Sequence, residues 1–91
     1  MKKRSKNRHF RNDAFLRALG EHCRKIRVKK GYSVNRMAAE GERLSPSVIL
    51  RLESGAGAVT VSAILRYSEV LEIHPKKLLD FDLPLESDST D

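Results

Sequence analysis

The sequence predicts an all-α domain of five short helices, and three observations carry that expectation. Apolar residues recur at three- and four-residue steps, the spacing that gathers side chains on one face of a helix. Capping and stopping residues such as Ser33, Ser45-Pro46, Gly31 and Gly55 punctuate these runs. No segment alternates with period two over a useful length, Phe81-Asp82-Leu83 aside.

The first helix is expected from about Asp13 to Lys30, with Leu16, Leu19, Cys23 and Ile26 on one face. Asp13 at its start and Lys29 and Lys30 at its end suit the helix dipole, and Gly31 supplies the stop. The second runs from about Val34 to Glu40. Ser33 caps it, Tyr32 staples onto Met37, and Met37, Ala38 and Gly41 form a short inner strip. The third opens at Ser45-Pro46, because proline at the first helical position loses no needed donor. Val48, Ile49 and Leu52 face inward and Gly55 ends it. The fourth spans Thr60 to about Leu71, with Val61, Ile64, Leu65, Ser68 and Leu71 expected inside. A short fifth starts at His74-Pro75, with His74 as its cap, and carries Leu78 and Leu79.

With 91 residues, 40% hydrophobic but only 5% aromatic, the chain suffices for one small core built from aliphatic side chains. Such a core is thin, and pairing of two copies would support it. No apolar run approaches the roughly 18 residues of a membrane span. The basic N-terminus lacks the apolar stretch of a signal peptide, so the chain is expected in the cytoplasm. Cys23, the single cysteine, excludes an internal disulfide and a cysteine-based zinc site.

The net charge of +6 is divided unevenly. Residues 1–31 hold 12 Lys or Arg against Asp13 and Glu21, and residues 32–91 hold 6 against 10 acidic residues. Positive charge gathered at one end points to a polyanion, most often nucleic acid. Residues 1–12 read as a disordered basic arm, 13–80 as the folded domain, and 81–91 as an extension with an acidic tail.

Two short helices joined by a few residues, at 33–41 and 45–54, describe a helix-turn-helix. Here the sequence resembles the phage repressor and Cro family of DNA-binding domains, also called XRE-like. The matching stretches are LGEHCRKIRVKKGYS (19–33), MA (37–38), LSPSVILRLESG (44–55) and VTVSAILRYSEVLEIHPKKLL (59–79), so the likeness covers about residues 13–80. It implies a lambda-repressor-like fold that binds double-stranded DNA. Three positions depart from the family pattern. Arg43 stands where a turn glycine is usual, which makes the turn read one residue longer. The Ala56-Gly57-Ala58 loop lacks the usual cations, and Val34 replaces a frequent glutamine.

Ser47, Leu50, Arg51 and Ser54 form one outward stripe on the third helix, opposite Ile49 and Leu52, with Pro46 at the exposed N-terminal end. In a helix-turn-helix this face enters the major groove, N-terminal end first. Pro46, Ser47, Leu50 and Arg51 are the expected base readers. Arg51 is suited to the O6 and N7 of guanine, and Pro46 and Leu50 to thymine methyls. Alternatively, Leu50 packs on a partner and Arg51 is merely solvated. Arg36 opposes the dipole in the first turn of its helix, which makes sense beside a bound phosphate. Asn35, Arg36 and Ser54 are therefore expected at phosphates, with a solvated Arg36 as the alternative. The resemblance implies that Arg27 and Glu53 form a buried or half-buried structural ion pair. Lys2, Lys3, Arg4, Lys6, Arg8 and Arg11 of the arm follow the DNA backbone, enter a minor groove, or merely aid solubility.

His9, His22 and His74 lack metal-ligand spacing. His22 and Cys23 are adjacent in a helix and diverge by about 100°, too far for a base and its nucleophile. No metal, cofactor or enzymatic activity is expected. The sequence reads as a sequence-specific transcriptional regulator, acting as a repressor by occluding an operator. It is expected to bind as a homodimer through Phe81, Leu83 and Leu85. An antitoxin-like protein-binding module and sequence-independent binding led by the arm are the alternatives.

Overall fold

Short polar side chains fix where the helices begin. The computed structural model describes residues 13–57 and 59–82. The basic arm expected at residues 1–12, Ala58, and Leu83 and Leu85 of the extension lie outside the described residues. Helix α1 (Asp13–Lys29) has Asp13 in its first turn and Arg27 and Lys29 in its last, an arrangement that matches the dipole. Gly31, at φ 83°, turns the chain out of it. Helix α2 (Val34–Glu40) begins at Ser33, whose Oγ accepts the Arg36 N–H at 3.0 Å. Helix α3 (Pro46–Ser54) begins at Ser45, whose Oγ accepts the Val48 N–H at 3.2 Å. Helix α4 (Val61–Leu71) begins at Thr60, whose hydroxyl accepts the Ala63 N–H at 3.1 Å. The expected fifth helix is a 3₁₀ helix, Pro75–Leu79, with His74 Nδ1 accepting the Lys76 N–H at 3.1 Å. Five residues make too little α-helix to hold one, and the tighter 3₁₀ turn takes its place. The described residues contain no strand.

The core takes one or two side chains from each element: Leu19 and Cys23, Met37, Ile49 and Leu52, Tyr67 and Leu71, and Leu78. Leu44, in the connection between α2 and α3, is also buried. The inner face of α4 differs from the sequence expectation. Val61 is 81% exposed and Leu65 45% exposed, whereas Tyr67 is fully buried beside Ser68 and Leu71. The true inner strip is Ile64, Tyr67, Ser68 and Leu71, at steps of three, one and three. Burial of Tyr67 rotates the helix until Leu65 faces outward. Leu79 is half exposed while Leu78 is buried.

Glycine sets the approach of α1 to α3. A Cβ on Gly20 would stand 2.3 Å from the Glu53 carbonyl oxygen and 2.6 Å from that of Leu52. Gly55, at φ 74°, abuts the Arg17 backbone from the other side, with Arg17 Cα 2.8 Å from where its Cβ would lie. Beyond the 3₁₀ helix the chain returns to α1. Phe81 is half-buried, with its ring 5.9 Å from Phe15 and 5.2 Å from His22. His22 Nε2 donates to the Lys77 carbonyl at 2.7 Å. Phe81, one of three residues expected at a dimer contact, thus packs partly against its own domain.

The turn between α2 and α3 occupies residues 41–45. Its left-handed residue is Arg43, at φ 64°. Gly41 has φ −105° and serves a different purpose. A Cβ there would meet Val70 Cγ2 at 2.7 Å. An L-residue in the left-handed conformation of Arg43 costs roughly 1–2 kcal/mol. Glycine avoids that cost but loses about 0.5–1 kcal/mol more through its freer unfolded chain. Arg43→Gly is therefore expected to stabilise the domain by about 0.5 kcal/mol, read as a higher urea midpoint at an unchanged denaturant slope. A lower midpoint would show that Arg43 stabilises the turn through its side chain.

Candidate nucleic-acid interface

Helix α3 divides its side chains cleanly. Ile49, Leu52 and Glu53 are buried, while Pro46, Ser47, Leu50, Arg51 and Ser54 are exposed. The last four recur at steps of three, one and three and therefore share a face. Leu50 stands 54% exposed in the middle of that stripe. The structure thus brings together the residues expected to read bases, along the outer face of one helix.

Both ends of the stripe have local hydrogen bonds. Ser47 Oγ lies 3.2 Å from Ser45 Oγ, beside the helix cap. Ser54 Oγ donates to the Arg51 carbonyl and accepts the Ala56 N–H, each at 3.2 Å. The Arg51 side chain has neither a hydrogen-bond nor an ion-pair partner among the described residues. Asn35 is exposed at the start of α2. Arg36 beside it lies over the Tyr32 ring, 4.0 Å from its centroid, and its Nε donates to Glu40 at 3.0 Å. The hydrogen bond to Glu40 raises the Arg36 pKa further, so its charge is secure. Arg36 is therefore held over its own helix and still reaches solvent.

A buried polar network holds the stripe in place. Arg27 Nε and Nη2 donate to the two Glu53 carboxylate oxygens at 2.6 and 2.9 Å. Its third nitrogen, Nη1, donates to the Tyr32 carbonyl at 2.8 Å, tying the start of α2 to the same guanidinium. The Tyr67 hydroxyl donates to Glu53 Oε2, with the Cys23 carbonyl oxygen 3.1 Å away. One carboxylate on α3 thus meets α1 and α4 at once. The hydrogen bond to Glu53 raises the Arg27 pKa, against the opposing effect of burial. Burial, then the hydrogen bond to Glu53, pushes the Tyr67 phenol well above its usual range. Burial and the Glu53 charge push the Cys23 thiol up to about 12, which keeps it protonated and unreactive.

Tyr67 is the member of this network that the sequence analysis missed. Its signal was the strip at 64, 67, 68 and 71, masked by the equally apolar Val61 and Leu65. The network has an alkaline signature. An unfolded tyrosine titrates near pH 10, and Tyr67 in the folded chain holds its proton to higher pH. Above that pH the unfolded state binds fewer protons, so stability falls as pH rises. The slope contributed by this one residue approaches about 1.4 kcal/mol per pH unit. Tyr67→Phe should be less stable at pH 8 but should lose that part of the decline above pH 10. Urea unfolding at pH 8, 9.5, 10.5 and 11 measures both. Parallel curves for the two proteins would mean that the phenol ionises as readily in the folded state.

Comparison with known proteins agrees with this geometry. A family profile described as helix-turn-helix matches residues 24–78. No curated protein sequence gives a significant match. Among solved structures, the restriction-modification controller protein C.AhdI from Aeromonas hydrophila is 30% identical, with a TM-score of 0.64 over 69% of this chain and 94% of that chain. The clp gene regulator ClgR from C. glutamicum is 28% identical, with a TM-score of 0.63 over 71% of this chain and 83% of that one. The DNA-binding domain of BldD is 24% identical and shares the fold, with a TM-score of 0.67 over 81% of this chain and 100% of that domain.

Proposed function

Since the chain belongs to the XRE-like family of helix-turn-helix DNA-binding domains, we propose that it is a sequence-specific transcriptional repressor that acts by occupying an operator. The observation that carries this reading is the exposed stripe Ser47, Leu50, Arg51 and Ser54 on a helix fixed from behind by Arg27 and Glu53. The controller C.AhdI and the gene regulator ClgR, similar in sequence and fold, support a regulatory role.

The N-terminal end of α3 enters the major groove first. Arg51, without a polar partner among the described residues, bridges O6 and N7 of a guanine. Ser47 donates to or accepts from a base edge, and Pro46 and Leu50 rest against thymine methyls. Asn35 and Arg36 flank a phosphate at the start of α2, and Ser54 meets another at the far end of α3. The arm residues Lys2, Lys3, Arg4, Lys6, Arg8 and Arg11 add contacts to the backbone. A single small module covers only about 600–1,000 Å² of DNA-facing surface. Two copies on a pseudo-palindrome, with recognition helices about 34 Å apart, supply the rest. Phe81, Leu83 and Leu85 hold that pair together.

Selection of bound sites from a random duplex pool tests the reading directly. A defined, two-fold-related sequence should emerge. Arg51→Ala should then lose roughly 1–3 kcal/mol on that site and relax preference at one or two positions per half-site. Its helix content should be unchanged. A variant that selects the same site as the wild type would remove Arg51 from the readers, and a pool that never converges would sink sequence-specific recognition.

A further inference from the structure

An open groove runs between the turn, the flank of α3 and the outer face of α4. Its lining includes Arg43, Val48, Arg51, Thr60, Leu65 and Arg66. Arg66 is paired with Glu69 at 2.7 Å. Arg43 and Arg51 are not paired: neither guanidinium has a hydrogen-bond or ion-pair partner among the described residues. Two cations without polar partners among the described residues therefore share one groove with a third that pairs with Glu69.

Arg43 is also the residue that holds the left-handed position of the turn, where glycine would fit without strain. A strained residue whose side chain makes no polar contact among the described residues is not explained by the stability of that part of the fold. Its position is informative, since it precedes Ser45, the cap of α3, by two residues. Its groove includes Arg51, which lies on the exposed stripe.

We propose that this groove is a phosphodiester site and that Arg43 grips a DNA backbone phosphate there, positioning the N-terminal end of α3 over the bases. The inference rests on the DNA-binding reading above. The ligand class follows from the chemistry. A guanidinium offers paired N–H donors to two phosphate oxygens, and the open groove suits a strand passing along it. Arg51 extends from the same groove towards the base edges, so one strand meets a backbone contact and a reader in sequence. The Ala56-Gly57-Ala58 segment carries no cation in its sequence, and Arg43 supplies one to the groove.

The test exploits opposite signs. Arg43→Gly should raise stability yet weaken binding about tenfold, equally on the selected operator and on random duplex. The slope of log affinity against log salt should become shallower by about 0.9, the share of one phosphate. Arg43→Lys should retain most of the slope. Arg43→Asn, which also tolerates the left-handed conformation, should repeat the loss seen with glycine. Circular dichroism and thermal melts confirm folding of each variant. Unchanged affinity and slope in Arg43→Gly, with wild-type protein still selecting its operator, overturn this inference and leave the DNA-binding reading intact. A loss confined to one sequence makes Arg43 a base reader and overturns the phosphate contact. A gain in affinity means that the groove holds the acidic segment 83–91 and not DNA, which also overturns it. If the wild type binds neither duplex, both readings fail together.

Discussion

Arg27→Ala is expected to cost about 3–5 kcal/mol, a large share of the stability of so small a domain. Removing one partner of a buried pair strands the other charge away from water. Here the stranded group is Glu53, with 9% of its surface exposed and, among the described residues, the Tyr67 hydroxyl alone left to bond it. The Tyr32 carbonyl, which accepts from the same guanidinium at 2.8 Å, loses its partner too. Stability of roughly 0.05–0.15 kcal/mol per residue gives a domain of this size about 5–14 kcal/mol in all, so the loss is a substantial part of it. The double replacement Arg27→Met with Glu53→Leu should recover most of the loss, because it removes both charges and keeps apolar volume. Urea unfolding of the wild type, the single variant and the double variant decides the matter. A loss under about 1 kcal/mol for Arg27→Ala would place the pair with ordinary surface ion pairs.

Gly20→Ala should also destabilise, by about 2 kcal/mol, although helix propensity predicts a gain of about 1 kcal/mol. The added methyl would lie 2.3 Å from the Glu53 carbonyl oxygen and 2.7 Å from its carbonyl carbon. Those are backbone atoms of α3, which cannot rotate aside as a side chain does. The helices must separate, and forced repacking of a tight contact costs about 1–3 kcal/mol, sometimes more. Gly57→Ala serves as the control, since a methyl there meets only the Arg51 side chain, at 3.8 Å. Calorimetric melts of both variants should show a large drop for the first and almost none for the second. Equal behaviour would mean that α1 and α3 tolerate a wider spacing than their geometry indicates.

The boundaries of the helices were legible because their signals are local. Ser33, Ser45, Thr60 and His74 each bond an N–H two or three residues ahead, a relation written in adjacent sequence. The α3 stripe was legible for a similar reason: a 3.6-residue period separates Ser47, Leu50, Arg51 and Ser54 from Ile49 and Leu52 without knowledge of any neighbour. The Arg27–Glu53 pair was reached only through family resemblance, since the partners lie 26 residues apart. Tyr67 was missed because its burial depends on a carboxylate in another helix, whereas apolarity alone favoured Val61 and Leu65. Gly20 reads as a blemish in α1 until α3 is laid across it. Arg43 was noticed as the lack of a glycine, but its left-handed backbone and its place in a groove are tertiary facts.

The contacts on α3 are unequal along its length. Glu53, the neighbours of Gly20 and the approach of Gly55 to Arg17 all lie at its C-terminal end. The N-terminal half rests on Ile49 and on Leu44 just before the helix, which pack without directional bonds. The helix is thus a lever pinned at the heel. Nine residues at 1.5 Å each give an arm of about 13 Å, so a 5° change at the heel moves the tip by about 1 Å. A shift of that size is a large part of a hydrogen-bond length at a base edge. Under the proposed reading of bases by α3, residues of α1 that face the heel share control of which bases are read, and operator preference would drift through the scaffold while the side chains of the stripe stay the same.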